Sequence, residues 1–310
     1  MKKIVFLDAA SMGDASLEEI SSLGELVCYP SSTPEEALQR VADAEVLIVN
    51  KVKVTRELMD AAPRLRLICE AATGINNIDV EAAALKGIAV KNVAGYSTPS
   101  VAQLTWTHIL SLVAQAPYFD SRVKSGTYSA SGLFSDLSRN WNELSGKTLG
   151  VVGMGAIGKK VASIGEAFGM RVAYYSTSGT SHCGDYPSLP LEELLASSDI
   201  VTIHAPLNGN TEGLIGGEQL GMMKKTAFLV NAGRGGIVDE AALAKAVDEG
   251  VIAGAALDVY CTEPLPSDSP LMHVKHPERF RFSPHSAWAS VEARKRLVSA
   301  IADNIAGFRQ

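Results

Sequence analysis

Thr148-Leu149-Gly150-Val151-Val152 runs directly into Gly153-Met154-Gly155-Ala156-Ile157-Gly158, and this stretch decides the fold. The apolar run is short and ends β-branched, which reads as a buried strand. Beyond the glycines, Ile157, Val161, Ile164 and Phe168 recur at helical spacing, and Gly169 stands where a helix C-cap glycine is expected. Arg171-Val172-Ala173-Tyr174-Tyr175 then reads as a second strand. A glycine loop between a buried strand and a helix, with a parallel strand beyond it, is the dinucleotide-binding βαβ unit. A purely structural glycine turn is the alternative, and the strand-helix-strand context weighs against it.

Each glycine has a physical task. Gly153 permits the tight turn, Gly155 lets the backbone approach a pyrophosphate, and Gly158 lets the helix pack close to the strand. Ala156 and Ile157 open the helix, whose N-terminus offers unpaired N–H groups and a partial positive charge to phosphates.

Working outward, 310 residues suffice for two domains, each with its own core. A net charge of -6 and the absence of any Lys/Arg block argue against nucleic acid and against a membrane surface as partners. No apolar stretch approaches membrane-spanning length, and Asp8 ends the apolar start too early for a signal peptide. Cys28, Cys69, Cys183 and Cys261 are scattered, so neither a zinc site nor a disulfide framework is indicated, and a cytoplasmic location is expected.

Before the glycine unit, residues 3–7, 26–29, 46–49, 67–71 and 88–90 read as strands. Residues 17–23, 34–42, 55–61 and 79–86 read as the helices between them, with Thr33 and Asp79 as N-caps and Pro34 at a first helical position. Repeated βα units imply a parallel, doubly wound sheet. Residues 98–115 form a long apolar helix with Pro99 in its first turn and Pro117 closing it, and residues 118–144 read as a short helix plus loop. After the glycine unit come strands at 200–204, 227–231, 253–259 and 280–283, with a helix at 239–249. Residues 290–308 have helical spacing and are expected to return to the first domain. The expected division is 1–97 plus 289–310 for one domain and 98–288 for the other. Such an insertion leaves two crossings between domains, hence a hinged cleft of the kind ligands favour.

Three later segments carry candidate chemistry. Arg234, in Asn231-Ala232-Gly233-Arg234-Gly235-Gly236, follows a predicted strand, and ligands of open α/β sheets bind beyond the carboxyl ends of strands. Its guanidinium suits an organic acid's carboxylate; an interdomain salt bridge is the alternative. Asp258 ends an apolar strand, and Glu263 opens a proline-punctuated loop where a solvated carboxylate is the plain reading. His285, in Ser283-Pro284-His285-Ser286-Ala287-Trp288, stands at a strand end, and histidine is the side-chain type suited to exchanging a proton during carbonyl reduction. Lys51 follows a strand too, and reads as a surface lysine.

Taken jointly with Gly153–Gly158, these segments, Thr73-Gly74-Ile75-Asn76-Asn77-Ile78-Asp79 and Tyr96-Ser97-Thr98, the chain resembles the D-isomer-specific 2-hydroxyacid dehydrogenase family over essentially its whole length. The resemblance implies a flavodoxin-like substrate domain and a Rossmann NAD(P)-binding domain. It implies that Arg234 binds the substrate carboxylate and carbonyl, that His285 is the acid/base and that Glu263 is its partner. It places the nicotinamide carboxamide on Asp258, the substrate carboxylate on backbone N–H groups around Thr73 and Gly74, and the cofactor edge along His204-Ala205-Pro206, Thr211, Asn231 and Ala232. Within the family, Tyr96–Gln103 and the Pro284–Ala289 segment look most like glycerate dehydrogenases, also called hydroxypyruvate reductases. Trp288 beside His285 fits a small substrate, a core or dimer-interface aromatic being the alternative.

One departure concerns the cofactor. NAD-selective units place an acid about 20 residues beyond the first glycine. Here Tyr175-Ser176-Thr177-Ser178-Gly179 stands there, without a carboxylate and without a nearby cation for a 2′-phosphate. NAD is the expectation, with NADP left open. The family also implies a homodimer, for which residues 98–144 offer a contact. Two other functions stay in view, a D-lactate-type or other 2-keto acid reductase and a cofactor-sensing binding protein like the family's corepressors.

Overall fold

The computed structural model describes residues 2–308. The chain divides into two compact units, Met1–Ser97 with Ala289–Gln310, and Thr98–Trp288. Each is built on one parallel sheet.

The first unit runs β1 (Lys2–Phe6), α1 (Glu18–Ser21), β2 (Gly24–Cys28), α2 (Pro34–Arg40), β3 (Val46–Val49), α3 (Arg56–Asp60), β4 (Leu67–Glu70), α4 (Val80–Leu85) and β5 (Ala89–Lys91). The strand order is β2-β1-β3-β4-β5. β3 and β4 are buried throughout, which is why they read as continuous apolar runs. Thr33 and Glu36 form a reciprocal capping box on α2, and Asp79 accepts from Ala82 N to cap α4. The helix expected at 17–23 shrinks to the single turn of α1. Between β1 and β3 the strand order reverses, the usual ligand crevice of such sheets. Here the carboxylate of Asp8 fills that place, accepting from the backbone N–H of Asn50 (2.9 Å), Lys51 (2.6 Å) and Val52 (3.0 Å).

The second unit opens with α5 (Thr98–Val113), α6 (Ala116–Lys124) and α7 (Thr127–Ser131). The expected single short helix in 118–144 is therefore two. Gln115, at φ 53°, interrupts the chain after α5, so Pro117 does not close that helix but falls in the first turn of α6, where its missing N–H costs nothing. There follow β6 (Thr148–Val152), α8 (Ala156–Ala167), β7 (Arg171–Tyr175), α9 (Leu191–Ser197), β8 (Ile200–Ile203), α10 (Gly217–Met222), β9 (Phe228–Asn231), α11 (Glu240–Asp248), β10 (Gly254–Leu257) and β11 (Phe280–Phe282). The order is β11-β10-β9-β8-β6-β7, and a one-residue parallel bridge, Tyr174 to Ser188, extends it past β7. Counting that bridge as the third strand, the sheet has the 3-2-1-4-5-6 order of dinucleotide-binding folds with β11 added.

Alternate residues of its strands feed two cores. Leu149, Val151, Val230 and Ala256 pack with α5 and α8, whereas Val152, Ile203, Leu229 and Leu257 pack with α9, α10 and α11. Finally α12 (Val291–Ala306) belongs to the first unit. Its Leu297, Val298, Ile301 and Ile305 are buried, Arg296 donates to Tyr96 O (2.8 Å), and Lys2 donates to the carbonyls of Ile305 and Phe308 (3.3 Å each) at the helix's C-terminal end.

Candidate active site

The carboxyl ends of β6, β8, β9 and β10 converge because three glycines allow it. Gly153 takes φ 92°, and a Cβ there would lie 2.9 Å from Ala205 N, so the first turn of the glycine loop packs on the His204-Ala205-Pro206 segment. A Cβ on Gly158 would meet Gly153 O at 2.3 Å, and one on Gly233 would meet Ala205 O and Ile203 O at 3.2 Å. Gly155 differs: nothing lies within 4 Å of where its Cβ would stand, and it caps α8 without a side-chain bond. Ala156 and Ile157 begin α8, with no acidic residue in the first turn. Open space at a helix N-terminus, where the first backbone N–H groups have no intrahelical acceptor, suits a pyrophosphate.

Around that space, Ser176 and Thr177 are half-buried just past β7, and Ser176 Oγ donates to Thr180 O (2.6 Å). His204 Nε2 bonds Thr202 Oγ1 (2.8 Å), its Nδ1 is buried without a partner among the described residues, and burial pushes its pKa down to about 3, so the ring is neutral. Thr211 is fully buried and donates to Pro206 O (2.6 Å); its hydroxyl shapes the 206–211 loop rather than facing outward. Asn231 builds the turn after β9, its amide donating to Arg234 O (2.8 Å) and its Oδ1 accepting from Gly233 N (3.0 Å).

Arg234 is half-buried at the exit of that turn, its Nη1 donating to Gly233 O (2.8 Å). The next residue sets this turn against a neighbouring loop. A Cβ on Gly235 would lie 2.0 Å from the carbonyl carbon and oxygen of Tyr260, so the Arg234 turn is pressed on the loop carrying Glu263. Glu263 Oε1 accepts from Tyr260 N (3.0 Å), and its Oε2 lies 2.6 Å from His285 Nδ1. His285 holds φ 51°, a left-handed backbone uncommon outside glycine. Its own N–H donates to Asp258 O (2.7 Å). Asp258, 1% exposed, accepts from Ser283 Oγ (2.6 Å), Ser286 N (2.9 Å) and Ala287 N (3.0 Å). Trp288 packs on the cluster of Val101, Ala232 and Ala287.

In the first unit, Thr73 Oγ1 donates to Val93 O (3.0 Å) and Asn92 Nδ2 donates to Thr73 O (2.6 Å), which fixes the loop after β4. The N–H groups of Thr73 and Gly74 take no acceptor from the chain among the described residues. Glu70, fully buried at the end of β4, accepts from Asn77 Nδ2 (2.9 Å), and burial raises its pKa to about 8.

His285 Nδ1 thus faces a carboxylate among the strand ends of a dinucleotide-binding fold. Residues 106–287 match the family described as D-isomer specific 2-hydroxyacid dehydrogenase, NAD binding domain. The chain belongs to that family. It is 38% identical to the glycerate dehydrogenase of Methylorubrum extorquens over 99% of this chain and 96% of that protein. It is 42% identical to the glyoxylate reductase of Aeropyrum pernix over 95% of this chain and 90% of that protein. The crystal structure of D-lactate dehydrogenase from Aquifex aeolicus complexed with NAD and lactic acid superposes with a TM-score of 0.85 at 28% identity, covering 98% of this chain and 94% of that one. This D-2-hydroxyacid dehydrogenase is an NAD(P)-dependent oxidoreductase.

Reading the dehydrogenase from sequence missed three residues that organise its site. Tyr260 donates its N–H to Glu263 and its hydroxyl to Ser283 O (3.0 Å), and Glu240 Oε1 accepts from Cys261 N (2.6 Å) in the same loop. Ser283 ties Asp258 to the segment of His285. Tyr260 and Ser283 lie within two residues of quoted candidates, which is the one local signal available; Glu240 has none. Among the described residues no group of three His, Cys, Asp or Glu side chains is placed to hold a metal ion, and no helix is long and apolar enough to cross a membrane.

Proposed function

We propose that this dehydrogenase interconverts a small D-2-hydroxy acid and its 2-keto acid, with glycerate and hydroxypyruvate as the first pair and glyoxylate as the other keto acid. The observation that carries the reading is the 2.6 Å contact of Glu263 with His285 Nδ1. With Nδ1–H donating to the carboxylate, Nε2 is the nitrogen left to give a proton to the forming alkoxide and to take it back in the reverse direction. Glu263 keeps the ring's orientation and fixes which nitrogen faces the acid. Arg234 grips the acid's carboxylate and carbonyl, stabilising charge on the oxygen that His285 protonates. Thr73 and Gly74 of the first unit, whose N–H groups take no acceptor among the described residues, are proposed as carboxylate-binding residues of the substrate. Trp288, braced on its apolar cluster, limits the length of acid accommodated.

A bound nicotinamide cofactor supplies the hydride. Gly153, Gly155, Ala156, Ile157 and Gly158 would hold its pyrophosphate, and the open space at Gly155 supports this assignment. Ser176 and Thr177 would meet the ribose, and His204, Ala205, Pro206, Asn231 and Ala232 the cofactor's edge, with Thr211 holding the shape of that edge. Asp258 Oδ2 accepts one chain donor, leaving capacity for a carboxamide N–H. The loop after Tyr175 offers hydroxyls and no Lys or Arg, which favours NAD over NADP. A ratio of kcat/KM for NADPH over NADH above one would reverse that choice.

The enzyme is proposed to act as a homodimer in the cytoplasm. Leu133, Phe134, Leu137 and Trp141 are 65%, 97%, 83% and 57% exposed on one excursion of the chain, an apolar patch suited to a second copy, and all four cysteines are free thiols. Sedimentation equilibrium tests the dimer. The functional reading is tested by NADH oxidation with hydroxypyruvate, glyoxylate, pyruvate and longer 2-keto acids: fastest turnover is expected with the first two. Preference for pyruvate would make it a lactate-type enzyme, and no oxidation with any of them would point to cofactor sensing instead.

A further inference from the structure

The helix α5 buries three polar side chains, Ser100, Thr105 and His108, of which only His108 carries a ring nitrogen to the segment of His285. His108 is 6% exposed, and its Nε2 lies 2.9 Å from Ser283 Oγ. That hydroxyl gives its single proton to Asp258 Oδ1 at 2.6 Å, so toward His108 it can act only as acceptor. His108 must therefore carry a proton on Nε2, and burial lowers its pKa. The result is a one-way chain of hydrogen bonds, His108 Nε2–H to Ser283 Oγ–H to Asp258 Oδ1.

The far end of this chain controls His285. Asp258 holds the N–H groups of Ser286 and Ala287 with its carboxylate and that of His285 with its carbonyl, which together fix a left-handed residue the backbone would not choose alone. Further bonds tie α5 to the same segment. Ser111 Oγ accepts from Arg281 Nε (2.9 Å), and Ser100 Oγ donates to Ala287 O (2.5 Å). The helix thus braces residues 281–287 at three levels, with His108 on the level that reaches Asp258.

We propose that His108 is a positioning residue for the acid–base His285, acting through Ser283 and Asp258 rather than by touching substrate or cofactor. The proposal rests on the assignment of His285 to proton transfer. Its test uses the full chain, NADH and hydroxypyruvate. H108L keeps apolar bulk and deletes the donor; H108Q returns an N–H of similar reach. H108L is expected to lower kcat about ten-fold or more while the KM for NADH stays within about two-fold, as expected when a reacting group is misplaced. Hydrogen exchange at the Ser286 and Ala287 amides should speed up in H108L, and H108Q should recover both kcat and protection. Should H108L fail to fold, Ser283→Ala cuts the same chain and is read in the same way. The proposal is overturned if kcat stays within about two-fold of the unmodified protein, if kcat falls with exchange unchanged, or if H108Q is no better than H108L. Faster exchange in a protein that reduces no 2-keto acid would leave the brace standing and remove the catalytic role of His285 instead.

Discussion

His285 Nδ1 and Glu263 Oε2 stand 2.6 Å apart although 22 positions separate them in the chain. The carboxylate's other oxygen is held by Tyr260 N, so Glu263 presents one oxygen to the ring in a fixed direction. Replacing Glu263 by Gln puts an amide in place of the carboxylate and removes the negative charge beside the ring. A fall in kcat of about 10²-fold is expected, with the KM for NADH little changed. Steady-state kinetics at saturating NADH reads it; an unaltered kcat would exclude Glu263 from the reaction.

His285→Ala should abolish most turnover, by about 10²–10⁴-fold, while NADH still binds. Fluorescence titration of NADH alongside the rate assay separates the two effects, and loss of NADH binding in step with activity would point to a collapsed site.

Arg234→Lys keeps the charge and loses the planar fork. The KM for the keto acid should rise and kcat should fall, giving a loss in kcat/KM of about ten-fold or more. Equal kcat/KM in the two proteins would move the acid's grip elsewhere.

The glycines give a contrast that fold and function resolve separately. Gly155→Val places its side chain in open space, so the melting temperature should shift by less than about 2 °C while the cofactor binds far more weakly. Gly158→Ala drives a methyl to 2.3 Å from Gly153 O, so it should cost about 1–3 kcal/mol of stability. Differential scanning calorimetry with NADH titration tests both, and a destabilised Gly155→Val would show that the open space is needed by the fold.

Glu70 makes stability depend on pH. Its pKa is raised to about 8 in the folded protein, so its contribution is complete below the usual glutamate range and is lost as pH rises through about 8. Glu70→Gln retains an oxygen for Asn77 and cannot ionise. The variant should gain about 1–3 kcal/mol over the unmodified protein at pH 9, a gap that closes toward pH 4. Urea titrations at the two pH values measure this, and a gap that widens toward acid would mean the carboxyl is ionised in the folded state.

The elements themselves were legible locally. A buried strand such as β6 needs only its apolar run, α2 and α4 need only their caps, and the glycine loop needs only backbone freedom at fixed offsets. These are interactions among residues within a few positions, so the order of amino acids determines them. The pairings that make a site are not of that kind. Arg234 meets the Glu263 loop because Gly235 lets two backbones touch, Glu263 meets His285 because adjacent strands end at the same edge of one sheet, and His108 reaches Ser283 across 175 positions. No periodicity encodes such contacts. A buried histidine on an apolar helix face looks like an error in the pattern until packing brings its partner alongside. Only tertiary structure decides that, because a desolvated donor is stable solely where a distant acceptor has been folded against it.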